Sequence, residues 1–537
     1  MLFDYIIVGA GSAGCVLADR LSADPATRVL LLEVGGKDDS LFIHMPKGIG
    51  KLMGHPKYNH LYATEPEEGN GNRPEYWVRG MTLGGSSSIN GMVYNRGQPE
   101  EYDHLEALGC TGWNWSSLLP HFRKMEDHPL GASEWRGTGG PLRVTLEDHA
   151  SPLAAAVIAA GETLGLKRLR DMNEDHGAGA IGLMPHTISQ GKRNSAAAAF
   201  LKRATGRPNL AIVTGKRVDK LIFAGRQTTG VRCADGTEFQ ASREVLLAAG
   251  ALESPGILLR SGIGPAEELG ALGIAVLHDA PEVGRNLMEH RVVGSQFRVK
   301  SYKFSENNAY GGWRLLAHTS RYLLNRTGVM AQGSFEVGAF LRSGVEPHDR
   351  PDAMFLLAPY AFDVTRMPLG MQDEPSISIF GTVLRPDSRG SITLRSIDPN
   401  DKPVIRSNYL ATDHDRAISA GTMKFIRRLV AAPPLSDIIT AEKQPGPSFQ
   451  SDEELVEAFR QFGSTGYHTI GTCGMGSHPT SVVDPNLRVR GVDGVRVMDA
   501  GVLPYMVSGN TNAPVLAMAD HAADLIIADA RLNRQAA

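Results

Sequence analysis

The stretch Tyr5-Ile6-Ile7-Val8-Gly9-Ala10-Gly11-Ser12-Ala13-Gly14, continuing into Cys15-Val16-Leu17-Ala18-Asp19-Arg20-Leu21, decides the fold. Tyr5 to Val8 is an apolar run of strand length. Gly9 to Gly14 follow directly and match G-x-G-x-x-G. Cys15, Val16, Leu17, Ala18 and Leu21 then recur at helical spacing. Arg28 to Glu33 (RVLLLE) reads as a second buried strand ending in an acid.

Each part of this strand–turn–helix unit has a physical job. Gly9 permits the tight turn, Gly11 lets the backbone approach a pyrophosphate, and Gly14 lets the helix pack closely on the strand. Ser12 and Ala13 complete the loop at the positive end of the helix, where an anionic diphosphate is favoured. Glu33 lies nineteen residues after Gly14, the spacing that sets a carboxylate on a ribose hydroxyl. The unit is that of a dinucleotide site. The acid on the ribose disfavours NADP but leaves NAD and FAD open.

Further along, Trp77 to Gly97 carries Gly84-Gly85-Ser86-Ser87-Ser88-Ile89-Asn90-Gly91-Met92-Val93. This composition suits a loop whose N–H and hydroxyl groups face phosphate or a planar ring. Leu210–Val213, Val218–Phe223, Val231–Cys233, Glu238–Phe239 and Glu244–Ala249 read as strands, with a hairpin turn at Asp235-Gly236. A helix from Ser254 to Arg260 should follow, returning a second strand–turn–helix unit to the first sheet. Between 300 and 465 the apolar runs Ser334–Leu341, Ala353–Ala358, Ser376–Leu384 and Ser391–Arg395 predict a mostly antiparallel sheet with helices on one face. Asp452–Phe462 predicts an amphipathic helix. Val495–Asp499 is a short strand, and Ala513–Asp529 a largely apolar helix.

Bulk properties fit this plan. A chain of 537 residues exceeds a single ordinary core. A net charge of −3 offers no overall basic field for nucleic acid or an anionic membrane. Four cysteines without CxxC spacing give no zinc or thioredoxin-type motif, and no metal site is expected. No apolar run reaches the length of a membrane span, and the core strand begins at once, so a cytoplasmic protein is the simplest expectation.

These residues resemble the glucose–methanol–choline (GMC) flavoprotein oxidoreductases. The resemblance runs from VGAGSAGCVLADRLS through Gly80–Asp103, which departs from the family pattern at Met81, to Ala249–Gly264 (AGALESPGILLRSGIG). It continues in Arg385-Pro386-Asp387-Ser388-Arg389-Gly390, Gly466-Tyr467-His468-Thr469-Ile470-Gly471-Thr472-Cys473 and Ser508-Gly509-Asn510-Thr511-Asn512-Ala513-Pro514. It implies an α/β protein, α+β overall: a Rossmann-like FAD-binding domain beside a smaller substrate or cap domain on a mostly antiparallel sheet. The FAD domain is expected at 1–150, 192–299 and 466–537, the cap at 151–191 and 300–465.

The same resemblance implies FAD held by Gly9, Gly11, Gly14 and Glu33 at its ADP half. Val218 would meet the adenine through its backbone. Gly84 and the Asn90, Gly91, Met92 and Val93 segment would line the flavin, and Asp499 and Ala500 the ribityl and pyrophosphate. Some relatives attach FAD through a histidine in the serine-rich stretch; Ile89 stands there, so non-covalent FAD is expected.

The implied reaction is oxidation of an alcohol, hydride passing to flavin N5 and electrons then to oxygen or another acceptor. A neutral imidazole suits the departing hydroxyl proton, and a neutral amide suits the developing alkoxide. His468 is the expected base. Asn512 is the expected amide donor, with Asn510 two residues earlier as the competing choice. Tyr467 either lines the pocket or packs as a core tyrosine. Cys473 is expected to be a packed thiol. His44, His121, His149 and His521 sit in no motif. Met330, Phe335, Phe355, Leu356 and Phe380 make the cap apolar, favouring a benzylic, furanic or aliphatic primary alcohol, though most can equally form its core. Non-redox chemistry on the same scaffold, such as cyanohydrin cleavage or light-driven fatty acid decarboxylation, is the alternative, and a flavin-binding module without catalysis a third. Oligomeric state is not readable.

Overall fold

A computed structural model describes residues 2–147, 150–345, 350–363 and 370–536; His149 lies outside them. Two sheets organise the chain. Strand β1 (Leu2–Val8) and strand β2 (Val29–Glu33) pair in parallel, Tyr5 opposite Val29 and Val8 opposite Leu32. The first sheet continues with β3 (Leu210–Thr214), β4 (Val218–Ala224), β5 (Gln227–Cys233), β6 (Glu238–Leu247) and β7 (Val495–Val497). Its order is β3-β2-β1-β6-β5-β4, with β7 also paired to β6.

Strand β6 joins what the sequence divides into Glu238–Phe239 and Glu244–Ala249. Its first residues close an antiparallel hairpin with β5 around Asp235-Gly236, and its last run parallel to β1 and β7. Ile6, Ile7, Leu30, Leu31, Leu246 and Leu247 are fully buried. Each such side chain contributes about 1.5–3 kcal/mol by leaving water. Helix α1 (Ser12–Leu21) covers the sheet and packs against the C-terminal helix Asn512–Ala536. The helix Ser254–Arg260 falls where expected.

The second sheet draws its strands from far apart in sequence. Its order is Ile439–Gln444, Arg291–Val299, Ser376–Val383, Ala353–Ala358, Val337–Leu341, Ala180–Leu183 and Lys167–Arg168, with Gly463–Thr465 paired to Arg291–Val299. Every pairing is antiparallel except the last, between Ala180–Leu183 and Lys167–Arg168. Arg291–Val299 therefore pairs in this sheet, although it precedes residue 300. Ser391–Thr393 stands apart, in a ribbon with Val404–Arg406. The 19-residue helix Asp413–Ala431 is the largest element missed in the sequence. Tyr76–Gly80 is likewise a strand, paired with Asn59–Ala63, where a loop was expected.

The two faces of this sheet differ. Along Ala353–Ala358 side chains alternate, as the strand pleat demands. Phe355 and Leu357 join Leu153, Val157, Phe425 and Ile426 in a core under the helices Pro152–Thr163 and Asp413–Ala431. Met354 and Leu356 point the other way and pack with Val93, Met184 and Phe340. One face thus rests on helices, and the other on the Asn90–Val93 segment.

Candidate active site

The nucleotide loop is shaped by backbone. Gly9 has φ +102°, and a Cβ there would lie 2.5 Å from the Ala248 carbonyl oxygen. A Cβ at Gly14 would lie 1.8 Å from the Gly9 oxygen. Gly11 differs: a Cβ there meets nothing within 4 Å. Gly11 is also the N-cap of α1, and no side chain caps that helix end. The open space and the N–H groups of the first turn fit a diphosphate. Glu33 is buried, and its carboxylate accepts from Ala10 N (2.9 Å) and Gly35 N (2.8 Å). Burial raises its pKa to about 7, against the pull of those N–H groups.

Two other segments lock onto this loop. Gly84 N donates to the Ala10 carbonyl at 2.8 Å, and Gly85 approaches Gly11 so closely that a Cβ would come within 2.6 Å of its Cα. Ser12 Oγ donates to Asn512 Oδ1 at 2.7 Å. On the far side Asp499 accepts from Gly250 N (2.9 Å), Ser254 Oγ (2.6 Å) and Gly501 N (2.8 Å), tying the Ala249–Gly264 segment to β7, with Ala500 next in the turn. Val218 starts β4, buried and opposite Cys233.

The Asn90–Val93 segment is held by a residue the sequence reading missed. Arg193 is buried, and its guanidinium donates to the carbonyls of Ile43 (2.9 Å) and Asn90 (2.6 Å) and to Asn90 Oδ1 (2.8 Å). No carboxylate pairs with it among the described residues, and burial pulls its pKa down to about 9. Met92 adopts φ +64°, and its carbonyl accepts from Thr187 N at 2.8 Å. Beside Gly91 stands Phe335, 3.1 Å from where a Cβ would lie, and Phe335 meets Phe380 edge-on at 5.7 Å. Of the five expected cap residues, Phe335, Leu356 and Phe380 belong to this side. Phe355 is core on the opposite face, and Met330 packs with Met45 and Tyr322.

His468 is held from three directions. Its Nδ1 lies 2.8 Å from Nδ1 of His290, and the two rings stand at 90°. Its Nε2 lies 3.1 Å from Nδ2 of Asn510. Its backbone N–H donates to Glu289 Oε1 at 2.7 Å. Glu289 also accepts from Thr469 Oγ1 and pairs with Arg79, and burial raises its pKa. The neighbouring residues Glu289 and His290 thus grip the main chain and the ring of one histidine. Both immediately precede the strand Arg291–Val299.

This geometry fixes a tautomer. His290 Nε2 lies 2.8 Å from the Leu384 carbonyl oxygen. A carbonyl only accepts, so Nε2 of His290 carries hydrogen. Burial, with help from Arg385, lowers the His290 pKa to about 4, so the ring is neutral and its Nδ1 is an acceptor. His468 Nδ1 must then donate, which leaves the lone pair of His468 on Nε2, facing Asn510. Burial, the largest cause, together with the nearby guanidinium of Arg79, holds the His468 pKa well below its ordinary value.

The two amides face different ways. Asn510 reaches His468, while Asn512, first residue of the C-terminal helix, is turned to the nucleotide loop. Nδ2 of Asn510 meets His468, and its Oδ1 is buried with no hydrogen-bond partner among the described residues. Tyr467 adopts φ +63° and is 42% exposed as a residue, so it is not packed in a core. Cys473 is fully buried, and burial raises its thiol pKa. His121 joins Asp520 in an ion-pair cluster with Arg20 and Lys124, a structural arrangement.

The chain is similar to known proteins over nearly its whole length. Family models described as GMC oxidoreductase match residues 3–292 and 386–519. The chain is 38% identical to the "Alcohol dehydrogenase [acceptor]" of Pseudomonas putida, over 98% of this chain and 96% of that protein. It is 40% identical to the human mitochondrial choline dehydrogenase, over 98% and 89%. Among solved structures, pyridoxine 4-oxidase from Mesorbium loti superposes with a TM-score of 0.87 at 33% identity, covering 97% of this chain and 98% of that one. Formate oxidase superposes with a TM-score of 0.90 at 28% identity, covering 98% of each. With matches spanning nearly its whole length, on a fold whose first loop is shaped for a diphosphate, the chain belongs to the GMC oxidoreductase family of FAD enzymes.

Proposed function

We propose that this enzyme oxidises a primary alcohol to the aldehyde, with His468 as general base. The observation that carries the reading is the chain from the Leu384 carbonyl through His290 to His468, which leaves an imidazole lone pair on Nε2 beside a buried amide. A substrate hydroxyl in the position that Asn510 Nδ2 now faces would give its proton to Nε2. The amide would turn its N–H to the oxygen as negative charge develops there. A neutral base can take that proton, and a neutral amide stabilises the developing charge without competing for it. Bound FAD supplies the acceptor for the hydride.

Gly9, Gly11, Ser12, Ala13, Gly14 and Glu33 would hold the ADP half, Val218 the adenine, Asp499 and Ala500 the diphosphate and ribityl region. Gly84 and Asn90 to Val93 would carry the flavin. Ile89 packs with Ile43, Leu52, Tyr58 and Val78, an apolar setting that supports non-covalent FAD. The named activities of the relatives, on alcohols, choline and pyridoxine, favour a CH–OH donor. Phe335, Phe380, Met354 and Leu356 favour an aromatic or aliphatic one. Oxygen or another acceptor would complete the cycle.

The test is anaerobic. Purified holoenzyme is mixed with benzylic, furanic and aliphatic primary alcohols, and the flavin absorbance is followed beside that of His468→Ala. Bleaching by an alcohol, slowed in the variant, is the expected result. A flavin reduced by dithionite but by no alcohol would overturn the reading.

A further inference from the structure

The helix Gly312–Asn325 turns its apolar side outward. Trp313, Leu316, Leu323 and Leu324 are 72%, 70%, 50% and 80% exposed. At about 100° per residue these four fall within an arc about 100° wide, the width of a core-facing stripe. Leu315 and Tyr322 lie on the opposite side and anchor the helix to Met45 and Met330. The helix is thus seated by its minor face and presents its larger apolar face to solvent. Leu41 and Phe42 extend the surface, 41% and 42% exposed. They share a short helix with His44, whose carbonyl is 3.4 Å from the Tyr322 hydroxyl.

The charge along this helix is one-sided. From 300 to 335 the chain carries Lys300, Lys303, Arg314, Arg321 and Arg326, and its single acid, Glu306, is engaged by Lys47. Arg314 and Arg321 project together along one border of the stripe. No carboxylate pairs with either among the described residues. The net charge of −3 conceals this local basic field.

We propose that this face docks on the surface of an anionic lipid bilayer. Trp313, Leu316, Leu323 and Leu324 enter the boundary between headgroups and acyl chains, and Arg314 and Arg321 meet lipid phosphates. An apolar stripe bordered by cations, with tryptophan at one end, is the composition of helices that lie in that plane. The helix is about 21 Å long at 1.5 Å per residue, enough to lie on a bilayer and too short to cross one. No helix among the described residues is long and apolar enough to cross a membrane. A second copy of the chain fits less well. A two-fold contact would bring the same unpaired arginines to the same helix of the other copy, with no acid on either.

The test uses FAD-loaded protein in sedimentation with vesicles. The expected result is pelleting with phosphatidylcholine vesicles that contain phosphatidylglycerol, and weak pelleting with phosphatidylcholine alone. The triple variant Trp313→Ser, Leu316→Ser, Leu324→Ser and the double variant Arg314→Glu, Arg321→Glu should each lower binding at least about tenfold. Both should keep the flavin spectrum and the turnover of a water-soluble alcohol with a soluble dye. The tryptophan emission lost in Trp313→Phe should shift to the blue when anionic vesicles are added to wild type. Wild type that stays in the supernatant, or variants that pellet equally, would overturn the proposal. So would a dimer without vesicles that the triple variant converts to monomer.

Discussion

The nucleotide loop and the loop that carries His468 reach rigidity by opposite means. At the first, backbone meets backbone: Gly9 under Ala248, Gly14 against Gly9, Gly85 over Gly11. Side chains matter chiefly by their absence, and the turn itself is one short segment, closed from outside by Gly84, Gly85 and Ala248 and tied to Glu33 and Asn512. At the second, side chains grip side chains across long separations, with His290 and Asn510 holding a ring that is 178 and 42 residues away. A site made of backbone tolerates no added atom. A site made of side chains tolerates exchange but loses function with each atom removed.

Four experiments break or sharpen this contrast, from largest effect to smallest. Gly9→Val should abolish FAD retention, because a branched Cβ at φ +102° collides with the backbone of Ala248 and Ala249, just after β6; flavin absorbance per protein after gel filtration reads this directly. His468→Ala should lower kcat/KM by roughly 10²–10⁴-fold while keeping full flavin content. The two amides should then part company. Asn510→Ala should lower kcat by about 10²-fold with FAD intact. Asn512→Ala should weaken FAD binding by the worth of one hydrogen bond, about 0.5–1.5 kcal/mol, with near-normal turnover once FAD is saturating. If both variants lose turnover and neither loses FAD, the separation of roles fails.

The smallest effect is a displaced pH limb. A base works when neutral, and the His468 pKa is held below 6.5. Activity should therefore persist as pH falls past 6.5 and decline only below it. His290→Ala opens the ring of His468 to water, relieving the burial that holds this pKa down, and removes the acceptor that fixes the tautomer. The acid limb of kcat/KM should then move up toward 6.5, with a lower plateau. A role for His290 in packing alone would lower the plateau and leave the limb in place.

What could be read in the sequence follows the same division. The strand, the three glycines, α1 and Glu33 were legible because each acts within one segment, where spacing is geometry. His468 was legible from its glycine-rich setting and the family resemblance. The choice between Asn510 and Asn512 was not, since two amides two residues apart at a helix start diverge only when the turn is built. Glu289 and His290 carried no signal beyond standing side by side before an apolar strand. Arg193 carried none, because a buried cation held by carbonyls has no partner residue to reveal it. The second sheet was legible in its middle strands and not at Arg291–Val299 or Ala180–Leu183, whose partners in Ser376–Val383 and Val337–Leu341 lie from 78 to 160 residues away.

The hydrogen bond from Ser12 to Asn512 spans 500 residues. Synthesis at about 5–20 residues per second separates the appearance of these two by tens of seconds. Through that interval the nascent chain exposes a finished glycine turn whose last wall does not yet exist. Arg20 likewise waits for Asp520. FAD binding should therefore need the C-terminal helix: a chain that stops short of Asn512 lacks the element that closes the site.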